Sequence, residues 1–437
     1  MENENENTLI GESKRVAVHT LGCRLNFSET GSISQGFVDR GYEIVPFGEE
    51  AEVVFINTCT VTDDADSSCR ALIRKAHRSS PEGKIVVAGC YAQMDPKTIS
   101  GMQGVDLVLG TSEKYKVFDY LGEEEEQVVA VDKSNLFWGA STTPADNHTR
   151  AFLKIQDGCN YVCSFCIIPQ ARGRSRTITV AEAVSQAKDL VGNGFKEIVL
   201  TGVNIGEYES TSGEKLTDLV KQILDIDGLE RMRLSSVEPN TITDELLDTL
   251  EASPKFMDHF HIPLQSGDDE ILKLMKRKYD VNFYKDVINK ILARFPNAAI
   301  GADMIVGFPG ETEEQFKATY NLAKELPITH FHVFPYSKRK GTIASRSENH
   351  IHQAVKKERS RALNMFGEAK LAMLSEDMVG TSTEVLFERR NKEGFFGGYS
   401  TNFVKVFVKT ESELNNEIRR VHLTSFRDGK LYGELIQ

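Results

Sequence analysis

The sequence lacks any long apolar run. No stretch of about twenty consecutive apolar residues occurs in its 437 residues, so nothing in it predicts a membrane-spanning helix. The first seven residues alternate between Glu and Asn and contain no apolar segment, which argues against a signal peptide. We therefore expect residues 1–13 to form a disordered tail and the protein to be cytoplasmic, without a membrane partner.

The sequence also lacks an excess of positive charge. It has 52 Lys and Arg residues against 64 Asp and Glu residues, for a formal net charge of −12. This balance argues against sequence-independent binding of nucleic acid, which needs a large basic surface. Basic residues form local clusters at 70–78, 172–176, 338–340 and 356–361. Each cluster by itself is interpreted as a solvated face of a helix or loop. Several clusters around one cleft would instead form a local site for an anionic partner.

Cysteine is scarce, with seven residues in the whole chain. A large cytosolic protein lies in a reducing compartment, so these cysteines are not a disulfide framework. Metal binding or catalysis is the better interpretation, and the positions of the cysteines decide between them.

The order of apolar runs and helical periods predicts an α/β protein whose architecture changes twice. Residues 1–13 are the tail, 14–126 a doubly wound α/β domain, 127–149 a linker, 150–376 a partial (βα)6 barrel and 377–437 a small all-β module. The amino-terminal strands are expected at Arg15–Thr20, Glu52–Asn57 and Lys84–Ala88. The barrel strands are expected at Phe152–Gln156, Glu197–Thr201, Arg231–Ser235, His259–Pro263, Ile300–Val306 and His330–Phe334. The carboxy-terminal strands are expected at Thr383–Arg390, Phe403–Val408, Arg419–Leu423 and Leu431–Leu435.

Three of the cysteines lie together in one loop after the first barrel strand. Cys159, Cys163 and Cys166 are spaced Cys-x3-Cys-x2-Cys, so each thiolate can bind one iron of a [4Fe–4S] cube and leave the fourth iron open. A structural zinc site would normally add a fourth Cys or His at matched spacing, and neither His148 nor Cys90 fits such a pattern. Loops after barrel strands build active sites, and this loop has that position.

This cysteine loop resembles the signature of the radical S-adenosylmethionine (SAM) superfamily, with an aromatic residue, Phe165, just before the last cysteine. The resemblance implies that the open iron binds the amino and carboxylate groups of SAM and that reductive cleavage yields a 5′-deoxyadenosyl radical. It also implies that Phe165 lies beside the adenine.

Three other cysteines each follow a predicted parallel strand of the amino-terminal domain. Cys23, Cys59 and Cys90 are separated by 36 and 31 residues, about one βα unit each. In an open α/β sheet ligands bind at the carboxyl ends of the strands, so these cysteines can converge on a second cluster. Ordinary buried cysteines are the alternative, since a cysteine outside a disulfide is often buried.

The motifs Gly-Cys-x-x-Asn, Asn-Thr-Cys-Thr-Val and Gly-Cys-Tyr-Ala-Gln, followed by the radical SAM loop, resemble the methylthiotransferase family over nearly the whole chain. The resemblance implies two [4Fe–4S] clusters, an auxiliary one on Cys23, Cys59 and Cys90 and a radical SAM one on Cys159, Cys163 and Cys166. It also implies a carboxy-terminal TRAM module that binds RNA. Cys69 has no counterpart in these motifs and is interpreted as a structural or incidental thiol.

Polar residues at the strand ends of the barrel are candidates for SAM binding. The turn of Thr201, Gly202 and Asn204 stands where radical SAM proteins contact the SAM amino group, although a plain strand-to-helix turn is the alternative. The full set of predicted cofactor-binding residues is Phe165, Thr201, Gly202, Asn204, Ser235, Glu238, Gln265 and Arg174.

The sequence leaves more than one role possible for several ionisable residues near these motifs. Arg172, Arg174 and Arg176 follow the cysteine loop and suit a SAM carboxylate, an acidic substrate group or an RNA phosphate. Asp303, within a barrel strand, faces the cavity or bonds backbone in the core. His259, His261, His330 and His332 lie in strand patterns, where packed or polar core histidines are commoner than ligands.

The resemblance also implies a substrate. The run from Asn57 to Asp66 is most similar to the branch that acts on N6-threonylcarbamoyladenosine in tRNA, since Thr62 and Asp63 stand where the isopentenyladenosine branch has Arg-Glu. The implied reaction replaces the C2–H of that base by C2–SCH3, with one SAM donating the methyl group and a second the radical. It requires an electron donor such as a flavodoxin or ferredoxin, and a sulfur donor.

The carboxy-terminal module fits RNA handling, because from Met378 it carries nine Lys and Arg against eight Asp and Glu in an acidic chain. Its candidate RNA contacts, which could equally be core rings and surface charges, are Arg389, Arg390, Phe395, Phe396, Tyr399, Arg419 and Arg420. Two other functions stay open: modification of isopentenyladenosine or of a ribosomal-protein aspartate, and RNA binding with structural clusters or zinc but no catalysis.

Overall fold

A computed structural model describes residues 14–122, 128–131, 136–143 and 149–436. The predicted tail lies outside these residues, as do parts of the predicted linker (127, 132–135 and 144–148). The described chain divides into two compact units. The amino-terminal unit runs to Thr60 and from Asp64 to residue 131, whereas the carboxy-terminal unit comprises Val61–Asp63 and the residues from 136 onward.

The amino-terminal unit is built on one parallel sheet, which within the described residues has the order β2-β1-β3-β4-β5-β6. Its strands are β1 (Arg15–Thr20), β2 (Glu43–Val45), β3 (Val53–Thr58), β4 (Lys84–Gly89), β5 (Val105–Leu109) and β6 (Val128–Ala130). All six residues of β3 are buried, as expected for a central strand covered on both faces. The three predicted strands are found within one residue of their expected positions. The short strands β2, β5 and β6 were not predicted.

Helices cover both faces of this sheet. They are α1 (Arg24–Val38), α2 (Asp63–Ser79), α3 (Cys90–Met94), α4 (Pro96–Ser100) and α5 (Val117–Leu121). Two apolar clusters result: one includes Ile73 of α2 and Ile56 of β3, and the other includes Phe37 of α1 and Phe55 of β3. Alternate residues of β3 therefore point to opposite layers, which is the doubly wound arrangement that we predicted.

The carboxy-terminal unit begins with a partial parallel barrel. Its strands are β7 (Arg150–Lys154), a short antiparallel pair β8 (Gln156–Asp157) and β9 (Arg176–Thr177), then β10 (Glu197–Thr201), β11 (Arg231–Leu234), β12 (His259–His261), β13 (Ala299–Val306) and β14 (Ile328–Pro335). The parallel strands form two ladders, β11-β10-β7 and β12-β13-β14. Each of the six predicted barrel strands is present, which confirms the predicted fold class.

The barrel helices are α6 (Ile168–Arg172), α7 (Val180–Gly192), α8 (Leu216–Leu224), α9 (Asp244–Glu251), α10 (Asp269–Leu274), α11 (Val281–Arg294) and α12 (Glu313–Glu325), followed by the long α13 (Gln353–Asp377). All of these except α6 and α8 begin with a side-chain cap. Thr179 and Thr312 each form a capping box with the residue three positions on, which satisfies two backbone donors at each helix start.

Residues 382–435 form a closed barrel of order β15-β16-β17-β19-β18. Its strands are β15 (Ser382–Arg390), β16 (Phe395–Ser400), β17 (Lys405–Lys409), β18 (Ile418–Arg427) and β19 (Lys430–Leu435). The strand β16 was not predicted from the sequence. That strand contains two consecutive glycines, Gly397 and Gly398, which are unusual in a strand interior. A Cβ on Gly398 would lie 2.5 Å from the carbonyl oxygen of Leu386, so the close approach of β15 requires the glycine.

The turn between β16 and β17 packs against the amino ends of the barrel strands. Arg233 of β11 donates to the carbonyl oxygens of Ser400 and Thr401, both at 2.8 Å, and pairs with buried Glu197 of β10 at 2.9 Å. The Phe403 ring lies 4.7 Å from the His259 ring. Because this turn covers the amino end, the carboxyl end is the accessible one.

No helix among the described residues is long and apolar enough to span a membrane.

Candidate active site

The central cysteine loop leaves β8 at the carboxyl end of the barrel and is fixed at its first residue. Gly158 has a φ of +70°, and a Cβ there would lie 2.1 Å from the carbonyl oxygen of Arg174. The Cys159 amide donates to the carbonyl of Gly173 at 3.1 Å. The start of the loop is therefore held against the segment 173–174, and only glycine fits at position 158.

Ser164 fixes the middle of the loop from two directions. Its hydroxyl donates to the carbonyl of Leu274 at 2.7 Å, and its amide donates to the carbonyl of Met275 at 3.0 Å. Its own carbonyl accepts from the amide of Ala344 at 2.8 Å. Two distant segments, at residues 274–275 and at 344, thus determine where Cys163 and Cys166 lie.

All three cysteines of the loop line one cavity of about 570 Å³, together with Gln170 and Arg174. Burial raises the pKa of Cys159 to about 11 and that of Cys166 to about 12, and it also raises the pKa of Cys163. The thiols therefore stay protonated at neutral pH until a metal displaces the protons, so that binding of iron releases protons.

The geometry of this loop suits a cluster better than a single ion. Among the described residues, no group of three or more His, Cys, Asp or Glu side chains is close enough to hold one metal ion. A [4Fe–4S] cube binds each cysteine to a different iron, so it holds three thiolates farther apart than one ion does. Three thiols around an open cavity fit that requirement.

The three arginines after the loop have different surroundings. Arg172 and Arg176 donate to buried Asp157 at 3.0 and 2.9 Å, and Lys154 reaches the same carboxylate at 2.8 Å. Arg174 instead lines the cysteine cavity. Asp157 therefore engages two of the three arginines, and Arg174 is the one whose side chain is placed beside the cysteines.

Two of the predicted SAM-binding residues have buried polar groups that no side chain satisfies in the described structure. Both amide atoms of Asn204 and the hydroxyl of Ser235 are buried without a hydrogen-bond partner. Buried polar groups are nearly always paired, and an orphan suggests a missing ligand. These two residues fit a polar cofactor at the carboxyl ends of β10 and β11.

Gly202, which was predicted to contact SAM, lies against the side chain of Gln156. A Cβ there would lie 2.8 Å from Oε1 of Gln156, and that oxygen accepts from the amides of Val203 and Asn204 at 2.9 Å. The Gln156 side chain thus explains the glycine by packing, and Thr201 is buried at the end of β10. A SAM contact of Thr201 and Gly202 stays a prediction.

A second cavity of about 210 Å³ lies on the other side of Cys166. Its lining includes the predicted residues Phe165 and Gln265, with Asp303 and Phe334. Oδ1 of Asp303 lies 3.0 Å from Nε2 of His261. Of the two roles left open for Asp303, the structure therefore favours the side chain facing the cavity.

The histidines divide into two pairs. The rings of His259 and His330 lie 5.5 Å apart beside Phe403, and burial lowers the pKa of His330 to about 4. The rings of His261 and His332 lie 5.1 Å apart. The first pair is a packed core pair, as expected, and the second belongs to the surroundings of Asp303.

Two residues of the site were missed. Arg277 donates to Sγ of Cys163 at 3.2 Å and pairs with Glu238, whose pKa is raised by burial against the opposing effect of Arg277. Glu207 accepts from the amide of Asn160 at 3.4 Å. Neither stands in a cysteine motif, and the only available signal was a charged residue in a loop that follows a barrel strand or helix.

In the amino-terminal unit, Cys23, Cys59 and Cys90 follow β1, β3 and β4, which are adjacent parallel strands. The three cysteines therefore lie at one edge of the sheet, as the spacing predicted. A Cβ on Gly22 would lie 2.9 Å from Sγ of Cys59, so the loop of Cys23 packs directly on Cys59. This arrangement fits a second cluster.

Two asparagines and a threonine of the motifs connect these three loops. Nδ2 of Asn26 donates to the carbonyls of Leu21 and Thr58 at 2.7 and 3.1 Å. Asn57 donates to the carbonyl of Asn26 at 3.0 Å. The Thr58 hydroxyl donates to the carbonyl of Ala88 at 2.6 Å. Because the three side chains are buried, these hydrogen bonds fix the relative positions of the cysteines.

Cys69 lies in the core of the same unit. Its thiol donates to the carbonyl of Cys59 at 3.4 Å, it has 0% exposure, and burial raises its pKa to about 12. These contacts suit the structural thiol that we predicted.

The candidate RNA contacts of the carboxy-terminal barrel are mixed. Phe396 is buried in the barrel core with Arg390 over its ring at 4.7 Å, and Tyr399 stacks on Phe403 at 4.6 Å. Phe395 packs edge to face on Tyr432 at 5.5 Å. The rings thus serve packing within the protein, whereas Arg389, Arg419 and Arg420 lie at the surface.

A partial parallel barrel with Cys-x3-Cys-x2-Cys at its carboxyl end defines a radical SAM enzyme, a class that uses an iron–sulfur cluster and SAM. The radical SAM superfamily model matches residues 153–323, and that of the uncharacterized protein family UPF0004 matches residues 15–110. The radical SAM methyltransferase TsrM of Kitasatospora setae has the same fold, with a TM-score of 0.55 and 16% identity over 76% of this chain and 77% of that one.

Curated relatives narrow the class. The threonylcarbamoyladenosine tRNA methylthiotransferase MtaB of Bacillus subtilis is 41% identical over 93% of this chain and 93% of that protein. MtaB of Aquifex aeolicus is 39% identical over 86% and 94%. The tRNA-2-methylthio-N(6)-dimethylallyladenosine synthase of Alkaliphilus oremlandii is 34% identical over 98% and 94%. The chain belongs to the radical SAM methylthiotransferase family, which confirms the resemblance seen in its motifs.

Proposed function

We propose that this enzyme converts N6-threonylcarbamoyladenosine in tRNA to its 2-methylthio derivative. The observation that carries the proposal is the pair of cysteine triads at strand carboxyl ends, in a chain 41% identical to an enzyme named for that substrate. The Thr62-Asp63 sequence after the second motif cysteine favours the same branch.

Each triad is assigned one cluster. Cys159, Cys163 and Cys166 would hold the radical SAM [4Fe–4S] cluster, and Cys23, Cys59 and Cys90 the auxiliary one. When bound, the two clusters with SAM supply the radical that abstracts the C2 hydrogen and the methylthio group that replaces it.

The protein's own residues bind and orient these groups. Asn204 and Ser235, whose buried polar atoms have no partner in the described structure, would hydrogen-bond SAM. Arg174, at the cysteine cavity, would pair with a carboxylate, since a guanidinium binds carboxylates in a bidentate manner. Phe165 and Gln265, in the adjoining cavity, would contact the adenosyl group. Glu238, which pairs with Arg277, would also contact SAM.

The substrate is tRNA, and exposed arginines such as Arg419 and Arg420 would bind its phosphates. A one-electron donor such as a flavodoxin or ferredoxin and a sulfur donor complete the reaction.

Iron analysis tests the cluster assignment. Anaerobic reconstitution of the full chain should give about eight irons, and Cys163→Ala or Cys59→Ala about four. Cys163→Ala should abolish formation of 5′-deoxyadenosine from SAM. Zinc in place of iron, or 5′-deoxyadenosine from Cys163→Ala, would contradict the assignment.

Nucleoside mass spectrometry tests the substrate. tRNA from a deletion strain should lose 2-methylthio-N6-threonylcarbamoyladenosine and regain it with the wild-type gene but not with the Cys163→Ala variant. Loss of the methylthio group from isopentenyladenosine in the same tRNA would instead assign the first alternative substrate. Its loss from a ribosomal-protein aspartate, measured by mass spectrometry of the ribosomal proteins, would assign the second.

A further inference from the structure

Arg277 is a charged residue that contacts the central cysteine loop but that no motif marks. It follows α10 and lies in the short connection to α11. Its side chain is 3% exposed, although most arginines lie at protein surfaces. A buried guanidinium needs several partners, and the identity of these partners shows what the residue does.

The backbone before Arg277 has an unusual conformation that directs the side chain to the cysteine loop. Lys276 has a φ of +59°, in the left-handed region that non-glycine residues rarely adopt. The amide of Lys276 donates to the carbonyl of Lys273 at 3.0 Å, and that of Arg277 to the carbonyl of Leu272 at 2.9 Å. This is a Schellman motif with lysine where glycine is usual. The same end of α10 accepts two hydrogen bonds from Ser164, so Arg277 and the loop are fixed to one frame.

The guanidinium uses its separate nitrogens for three different partners. Nη1 donates to Sγ of Cys163 at 3.2 Å, Nη2 pairs with the carboxylate of Glu238, and Nε donates to the Tyr279 hydroxyl at 3.2 Å. Tyr279 is itself held by the carbonyl of Pro263 at 2.7 Å. The orientation of the N–H toward sulfur is thus set by two further anchors, and a lysine ammonium could not reproduce this fork.

Hydrogen bonds to the sulfurs of a cluster, with burial and net charge, set its reduction potential. Reduction adds one electron, hence one negative charge, to the cluster, and an N–H donor with a positive charge stabilises that form. Glu238 acts in the opposite sense, and because its carboxylate lies on the far side of the guanidinium, its effect on the sulfur should be weaker.

We propose that Arg277 is a positioning residue for the radical SAM cluster, which fixes Cys163 and raises the reduction potential of the cluster so that a one-electron donor of the flavodoxin or ferredoxin class can reduce it. The inference rests on the proposed cluster at Cys159, Cys163 and Cys166. It adds a residue that sets how readily the cluster accepts its electron.

The test is a redox titration of the anaerobically reconstituted full chain, followed by electron paramagnetic resonance, without SAM or tRNA. The signal that is absent from Cys163→Ala identifies the central cluster. Arg277→Gln should lower its midpoint potential, with about tenfold less reduced cluster at a given potential, which for one electron corresponds to about 59 mV. Glu238→Gln should shift the potential in the opposite direction. The control Lys273→Gln, which removes an exposed charge from the same segment, should leave it unchanged.

Opposite shifts in the two variants support the proposal, whereas general damage to the site would shift both in the same direction. An unchanged potential in Arg277→Gln with full iron content overturns it. If Arg277→Gln loses iron, the potentials of Arg277→Lys and Glu238→Gln test the proposal instead. A lower potential in Arg277→Lys or a higher potential in Glu238→Gln supports it. An unchanged potential in both variants overturns it. Absence of iron at the central cysteines of the wild type would instead refute the proposed function.

Discussion

Asn26 connects two of the three cysteine loops in the amino-terminal unit, and its removal is expected to weaken the proposed auxiliary cluster selectively. Its amide donates to the carbonyl of Leu21, two residues before Cys23, and to that of Thr58, directly before Cys59. The side chain is 1% exposed. In Asn26→Ala both carbonyls lose this donor in a tightly packed region, as the contact of Gly22 with Cys59 shows.

The expected cost follows from those two hydrogen bonds. A buried acceptor that loses its donor costs about 1–3 kcal/mol, so two give roughly 2–4 kcal/mol, allowing for partial relaxation around the smaller side chain. Total stabilities of domains are about 5–15 kcal/mol. The variant should therefore fold, with loops that hold Cys23 and Cys59 less firmly.

Iron content and urea unfolding measure both consequences. Asn26→Ala should fall from about eight irons to about four after reconstitution and gel filtration, while still forming 5′-deoxyadenosine from SAM. Gln35→Ala, which removes an amide that contacts Asp39 on the surface of the same helix, is the matched control and should keep all its iron. Full iron content and wild-type stability in Asn26→Ala would refute this account of the loops.

Three further predictions concern the core. Burial lowers the pKa of His330 from 6.5 to about 4. The stability that comes from burying the neutral imidazole is therefore fully present above pH 6.5 and is lost as the pH falls through about 4. In urea titrations of the iron-free protein, His330→Gln should remove up to about 3 kcal/mol of this acid destabilisation. Arg233→Met leaves the buried carboxylate of Glu197 without this partner and should lower the free energy of unfolding in urea by about 3–5 kcal/mol. Adding Glu197→Leu should recover part of that loss. Equal stability of the single and double variants would contradict the pairing. Cys69→Ala should keep about eight irons and cost about 1 kcal/mol, and a loss of four irons would show that Cys69 is a cluster ligand.

Much of the fold was predictable because it depends on local patterns. The apolar runs of β1, β3 and β4 gave the amino-terminal strands within one residue, since a strand buried on both faces needs consecutive apolar residues. The strand β16 was missed because two consecutive glycines, Gly397 and Gly398, are typical of a turn. The close approach of β15 requires Gly398, and a Cβ on Gly397 would lie 3.0 Å from the Lys405 side chain of β17. Neither neighbour is visible in the sequence.

The sequence by itself determined the two cysteine triads, because thiol chemistry and spacing are local properties and because cysteines after parallel strands meet at one edge of a sheet. It left the arginines open. Only the tertiary structure decided that Asp157 engages Arg172 and Arg176 while Arg174 lines the cavity. It also decided that Arg277, 111 residues beyond Cys166, reaches Cys163. A charged side chain takes its role from whichever buried partners the fold brings to it, and those partners are distant in the chain.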